Sequence, residues 1–238
     1  MSRHHASASA PPEEFFESDL FADRPGSVFA VLVVCRGRNV VPGREIIRSR
    51  SAALREDVFA GGRMLAGPEP DHDDDRSLHV AVVENAGAGR ARVTGGLRLI
   101  FRRFVDGATA VDDALPIEAE GHFGDLFTAP LGDGSVEVSR LCIVAERGGA
   151  RVRMLSSLIG FAAGVVSDAG AVEAYAMLGD ELLRPLRRFV PLEQLADARD
   201  LEYPTPKIPV RIPSTVLRTI RLTAEDQVMY APLRGAAA

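Results

Sequence analysis

Val136-Glu137-Val138-Ser139-Arg140-Leu141-Cys142-Ile143 is an apolar run holding one acid, one hydroxyl and one guanidinium. Its β-branched and apolar residues mark a strand, predicted over Val136–Val144. Strict alternation sets Glu137 and Ser139 on one face and Val136, Val138 and Arg140 on the other. A charge in such a strand is costly unless paired. Two other stretches offer partners. Val93-Thr94-Gly95-Gly96-Leu97-Arg98-Leu99-Ile100 is a strand with one arginine, and Asp71-His72-Asp73-Asp74-Asp75-Arg76-Ser77-Leu78-His79 is an acidic loop entering a strand. Arg98 and Arg140 balance Glu137, Asp71 and Asp74 if these elements meet in space. A network of that kind serves architecture as readily as chemistry.

Working outward, Val28–Cys35 is a continuous buried-strand pattern, and Arg44–Phe59 has the apolar spacing of an amphipathic helix ended by Gly61-Gly62. Strands are predicted over Ser77–Glu84 and Arg92–Phe104, joined by the glycine-rich turn 85–89. After an irregular stretch and the Glu137 strand come a helix over Val152–Asp168, a strand over Val172–Met177 and a helix over Asp180–Phe189 interrupted by Pro185. Strand-like pieces follow at Ile208–Ile212 and Val216–Leu222. This order implies an α/β fold with a mixed central sheet and helices on both faces. It lacks the even alternation of a dinucleotide-binding fold, and no GxGxxG follows a strand. Residues 1–27, rich in Ser, Ala, Pro and Glu, read as a disordered segment with a short docking helix around Phe15, Phe16, Leu20 and Phe21. Residues 28–238 read as one domain.

At 238 residues with 46% apolar content, the chain is long enough to bury its own core. Its net charge of −5 argues against nucleic-acid binding. Two cysteines, Cys35 and Cys142, provide neither a disulfide framework nor a zinc site. No signal-like start or membrane-length apolar run is read, so a cytoplasmic setting is expected. Of 28 basic residues only Lys207 is a lysine.

Read in order, Arg55 and Phe59 (R-x-x-x-F), Asp71 and Asp74 (D-x-x-D), Gly95 and Arg98 (G-x-x-R), and Glu137, Ser139 and Arg140 (E-x-S-R) resemble the acyl-homoserine-lactone synthase family and the related long-chain N-acyl amino acid synthases. The match spans roughly Val28–Leu186. It implies a GNAT-like fold whose sheet splays at the E-x-S-R strand, and a reaction in which a primary amine attacks an acyl thioester. The implied co-substrates are an acyl group on acyl carrier protein, or on coenzyme A, and an amine such as S-adenosylmethionine or an amino acid, with no tightly bound cofactor. A catalytically idle binding relative is the alternative of another class. In the resemblance Glu137 takes the amine proton or holds the amine in place, and Arg140 and Arg98 organise the acidic loop through Asp71 and Asp74. Arg55 and Phe59 line the amine side with Ser139. The backbone at Leu141, Cys142 and Ile143 meets the phosphopantetheine arm, and Tyr175 and Ala176 border the acyl chain. The lactone synthases carry a tryptophan about six residues after the R-x-x-x-F pattern, where this chain has Leu65; the identity of the amine stays open.

Arg147-Gly148-Gly149-Ala150-Arg151 precedes a helix, where Arg147, Gly149 and Arg151 either contact a phosphate or form an ordinary glycine turn. Arg102-Arg103, Arg151, Arg153, Arg184, Arg187 and Arg188 either form a face for the acidic carrier protein or are simply solvated. His72 and His79 lack a settled metal spacing and read as loop residues. Cys142 reads as a buried structural thiol, and Leu155, Leu158, Ile159, Phe161, Ala162 and Val165 as a core stripe or an acyl tunnel.

Overall fold

A computed structural model describes residues 15–17, 27–36, 39–61, 72–106, 109–112, 114–119, 121–144, 149–188, 190–201, 203, 205–217 and 219. In chain order the elements are β1 (Phe16–Glu17), β2 (Val28–Arg36), β3 (Asn39–Val40), α1 (Glu45–Gly61), β4 (Ser77–Gly87), β5 (Arg90–Phe101), β6 (Arg103–Asp106) and β7 (Thr109–Asp112). These are followed by β8 (Ser135–Ile143), α2 (Gly149–Asp168), β9 (Glu173–Leu178), α3 (Asp180–Leu186), β10 (Glu193–Gln194), β11 (Ile208–Ile212) and α4 (Ser214–Leu217). Single 3₁₀ turns occur at His72–Arg76, Pro116–Glu118 and Gly124–Leu126. The expected mixed sheet is present: nine strands in the order β10-β11-β9-β8-β5-β4-β2-β3, with β1 added beside β5.

Every pairing in this sheet is antiparallel except β8 with β9. That parallel ladder is short, joining Ser135–Glu173, Val136–Ala174 and Glu137–Tyr175 and then stopping. Beyond it β8 continues to Ile143 beside β5 and β9 to Leu178 beside β11, but the two no longer pair with each other, so the sheet splits between them.

The two sheet faces differ in what covers them. Val80, Val82, Leu97, Leu99 and Val136 pack under α2, whose Met154, Leu158, Phe161 and Val165 are essentially buried. By length and composition α2 matches a membrane span, but its apolar stripe is this core. On the other face, Ile47 of α1 packs with Val31, Ala81 and Val83, and Phe16 joins them. Ile47, Ser51, Arg55 and Phe59 lie four residues apart and so share one side of α1. Gly96 gives that side room, because a Cβ there would meet the Val80 carbonyl oxygen at 2.7 Å and approach Ser51 Oγ at 3.5 Å.

Several sequence expectations need correction. Phe16–Glu17 pair with Ala91 and Arg90 as an edge strand rather than as part of a helix, so order reaches into the segment expected to lack it; Leu20 and Phe21 lie outside the described residues. The hairpin turn is tighter than expected, with positive φ at Gly87, Ala88 and Gly89. The irregular stretch after Phe101 holds the β6–β7 hairpin and two 3₁₀ turns. Helix α2 starts at Gly149, so Ala150 and Arg151 belong to its first turn and not to a loop; Arg147 and Gly148 lie outside the described residues. Where a strand was expected from Val216, Ser214–Leu217 form the short helix α4 directly after Pro213.

Candidate active site at the split in the sheet

The split follows from a local irregularity in β8. Gly96 pairs with Cys142 and Arg98 with Ser139, so Arg140 and Leu141 together oppose the single residue Leu97. This is a β-bulge, which bends its strand. Arg140 sits at φ 53°, in the left-handed region that non-glycine residues seldom adopt. Gly95 faces the same irregularity: a Cβ there would lie 2.5 Å from the Cys142 carbonyl oxygen. The bulge also overturns the strict alternation expected of the strand. Arg140 does not point away from Ser139 but turns its guanidinium over the Phe59 ring of α1, 5.6 Å from the centroid.

Register places two rows of side chains on the α1 face: His79–Arg98–Ser139 and Ser77–Ile100–Glu137–Tyr175. The first row is an ion network. Arg98 donates to Asp74 at 3.1 Å and to Ser139 Oγ at 3.0 Å. Arg55 reaches the same carboxylate with 3.0 and 3.2 Å contacts. Burial alone would raise the Asp74 pKa, but Arg55, Arg98 and His79 outweigh it and hold the carboxyl below its ordinary value. His79, expected as a loop residue, is instead drawn into this network. Burial, with Arg55 and Arg98 beside it, lowers its pKa to about 4 despite Asp74. The neutral ring fits its partners: Nδ1 accepts from Arg55 at 2.9 Å, leaving Nε2 to donate to the Asp74 carbonyl at 3.2 Å. Asp73 takes Arg76, whose Nε lies 2.9 Å away, and Arg76 also donates to the Ala114 carbonyl at 2.7 Å.

Glu137 stands apart. Sequence reasoning paired it with an arginine, yet among the described residues no cation lies within ion-pair distance. Its Oε2 accepts the Ile117 N–H at 2.7 Å instead. Burial is the dominant influence and pushes its pKa up to about 8; the Ile117 N–H and Arg98 pull the other way, and Asp73 adds to the rise. The carboxyl is thus a buried acid whose proton is exchangeable near neutral pH.

A cleft of about 570 Å³ opens where β8 and β9 part. Glu137, Ser139, Arg140 and Leu141 form one wall with Arg98 and Phe59; Met177, Leu178 and Gly179 at the end of β9 form the other, with Tyr203 and Lys207. Leu115, Pro116 and His122 close it from the 3₁₀ segment. Arg55 and Asp74 stand behind the cleft and fix Arg98. Asp71 and Leu65 lie outside the described residues.

Other sequence candidates do not line this cleft. Cys142 is buried, as read, and Ile143 packs toward α2 and α3. Ala176 belongs to the apolar cluster between α2, α3 and β11. The Tyr175 ring is buried edge-on against Phe127, its hydroxyl donating to Glu173; burial and then that carboxylate push its pKa well up. Gly149 and Arg151 sit at the start of α2, away from the cleft lining. Arg102 is no surface charge, since it reaches Glu118 at 3.6 Å and the Leu131 carbonyl at 3.2 Å. No grouping fit for a metal occurs among the described residues.

Sequence reasoning missed Asp73, His122, Met177, Tyr203 and Lys207 as site residues. Long irregular segments bring most of them in, and only the isolation of Lys207 among arginines marked it.

No family model matches the chain, and no curated protein sequence does. Solved structures do. The AHL synthase LasI is 14% identical with a TM-score of 0.56, covering 86% of this chain and 94% of its own. BjaI, a CoA-dependent acyl-homoserine lactone synthase solved with SAM and isopentyl-CoA, is 19% identical with a TM-score of 0.54, covering 87% and 89%. FeeM, an N-acyl amino acid synthase from uncultured soil microbes, is 12% identical with a TM-score of 0.53, covering 84% and 98%. The split mixed sheet of this chain is therefore the fold shared by acyl-homoserine-lactone synthases and an N-acyl amino acid synthase.

Proposed function

We propose that the chain is an N-acyltransferase that moves an acyl group from a thioester to the primary amine of a small molecule. The observation that carries this reading is Glu137, a buried carboxyl with a pKa near 8 on the wall of a cleft formed by a parting sheet. The amine nitrogen attacks the thioester carbon, the C–N bond forms and the C–S bond breaks. Glu137 accepts the proton the nitrogen sheds, and the departing thiolate takes up a proton as free thiol. Past Glu137 the β9-facing backbone of β8 lies outside any ladder, so its N–H groups are available to the pantetheine arm and to negative charge developing on the thioester oxygen. Arg98, fixed by Asp74 and Ser139, places a cation on the same wall as Glu137 and draws that carboxyl's pKa down against burial. Arg140 stacked on Phe59 shapes the amine side.

The donor we favour is acyl carrier protein. Arg151 and Arg153 at the start of α2 are exposed, as are Arg184, Arg187 and Arg188 at the end of α3, and although Arg184 pairs with Asp180 at 2.7 Å the others offer cations to an acidic partner. Complementary charge of this kind speeds encounter. Coenzyme A is the alternative donor, favoured by the likeness to BjaI. The acceptor is S-adenosylmethionine or an amino acid; with the former, ring closure of the acylated product expels methylthioadenosine. Residues 28–238 act as one acyltransferase domain in this scheme.

Incubation with octanoyl-carrier protein or octanoyl-CoA and a panel of amines, followed by mass spectrometry, tests the reading. Amide formation supports it, and methylthioadenosine release selects S-adenosylmethionine. No amide with either donor overturns it in favour of a binding module.

A further inference from the structure

Lys207 is the sole lysine of the chain. A paired backbone bridge to Arg199, at 2.8 and 2.9 Å, fixes it just before β11. It is 8% exposed and lines the cleft on the β9–β11 wall, across the split from Glu137. Its Nζ has little company: a 3.3 Å hydrogen bond to Thr205 Oγ1 and the Tyr203 ring at 5.2 Å. Among the described residues no carboxylate comes within ion-pair distance of it. Burial lowers its pKa, while Glu181 acts the other way from farther off. An ammonium with three donors and one weak acceptor, sequestered in a cleft, is stabilised by any anion that enters.

Strand parity identifies the side from which that anion comes. Ile208 and Val210 pack toward α2 and α3, so Lys207 and Pro209 face the other way, with Met177 and Tyr175. That is the face of Glu137 and Arg98 and is opposite to α2. A donor phosphate held at the α2 N-terminus would therefore lie on the far side of the sheet.

We propose that Lys207 is the carboxylate anchor of the acceptor: it selects an amine that also carries a carboxylate and holds it with the nitrogen turned toward Glu137. This rests on the acyl-transfer reading and adds a specificity determinant to it. The chain's single lysine allows a direct test, because [ε-¹³C]lysine incorporation gives one side-chain signal. Titration with leucine, phenylalanine, glutamine and S-adenosylmethionine, with the carboxamides of the three amino acids, and with inorganic phosphate reports which anion reaches it. Parallel amide-formation assays compare wild type, Lys207→Met and Lys207→Arg.

The expected result is a signal that moves with at least one free acid and not with its carboxamide. With it, KM for that acid rises about 10- to 100-fold in Lys207→Met, while use of the carboxamide is unchanged and Lys207→Arg recovers part of the loss. A signal indifferent to every acid while the enzyme forms amide overturns the anchor and leaves acyl transfer standing. A signal that responds to an acid in a protein that forms no amide leaves Lys207 a carboxylate-binding residue but removes the acceptor, and so overturns the proposal together with acyl transfer. A response to phosphate alone assigns the lysine to the donor and overturns the proposal, as does no response with no amide.

Discussion

Asp74 carries more of the site than any other single carboxylate described, because two guanidiniums and a neutral imidazole converge on it. Replacing it with asparagine leaves Arg55 and Arg98 buried against a neutral amide. Breaking a buried pair of this kind costs about 3–5 kcal/mol. Asp74→Asn is therefore expected to lower the midpoint of urea denaturation sharply, whereas Asp125→Asn, which removes only the exposed partner of Arg199, leaves it nearly unchanged. Equal small effects would show that the network is not the strut described. Arg98 and Asp74 were legible as partners because a charge inside an apolar strand demands one, whereas Arg55 and Ser139 entered only through the family resemblance, as residues of the amine side. The pairing of charges was only half legible. Glu137 answers to the Ile117 N–H and not to an arginine, and no sequence spacing relates residues 20 apart across a 3₁₀ turn.

At the level of elements, the bulge in β8 decides the architecture. Gly95 has no room for a side chain beside the Cys142 carbonyl, so Gly95→Ala should either flatten the bulge or push β8 from β5. Overpacking of this order costs about 1–3 kcal/mol, visible as a lower thermal midpoint; an unchanged midpoint would show that the bulge tolerates a methyl group. Helix α2 provides a control on the opposite face. Leu158 is fully buried there, and Leu158→Ala should cost about 2–5 kcal/mol without altering the cleft, read as stability lost with KM retained. Strand and helix identities along β2, α1, β4, β5, β8, α2 and β9 were legible because each carries either helical apolar spacing or a run of apolar and β-branched residues. The bulge was not, because strict alternation was expected through the strand, although two adjacent polar residues, Ser139 and Arg140, break the pattern where the backbone breaks step. Nor was α4, where Pro213 starts a helix in residues whose β-branched character favoured a strand.

Across the whole molecule, the split sheet places a buried acid at its centre, and this leaves a signature in stability. Glu137 has a folded pKa of about 8 against an ordinary 4.5. A raised folded pKa contributes stability that is complete below about pH 4.5 and is lost as pH rises through about 8. In thermal melts across that range, Glu137→Gln should gain on wild type with increasing pH. A constant difference would mean that the carboxyl titrates normally. The nine-stranded order and the cleft could not be read from sequence in full, because Leu115, Pro116, His122 and the lysine at 207 reach the split from distant parts of the chain.

The pH dependence of single-turnover amide formation, measured for wild type and Glu137→Gln with one donor and one amine, tests the central claim most directly. The account predicts a wild-type rate that climbs with pH and levels off above about 8, and a Gln variant slower by about 10²-fold that lacks this inflection. A variant that matches wild type in both rate and profile would contradict it.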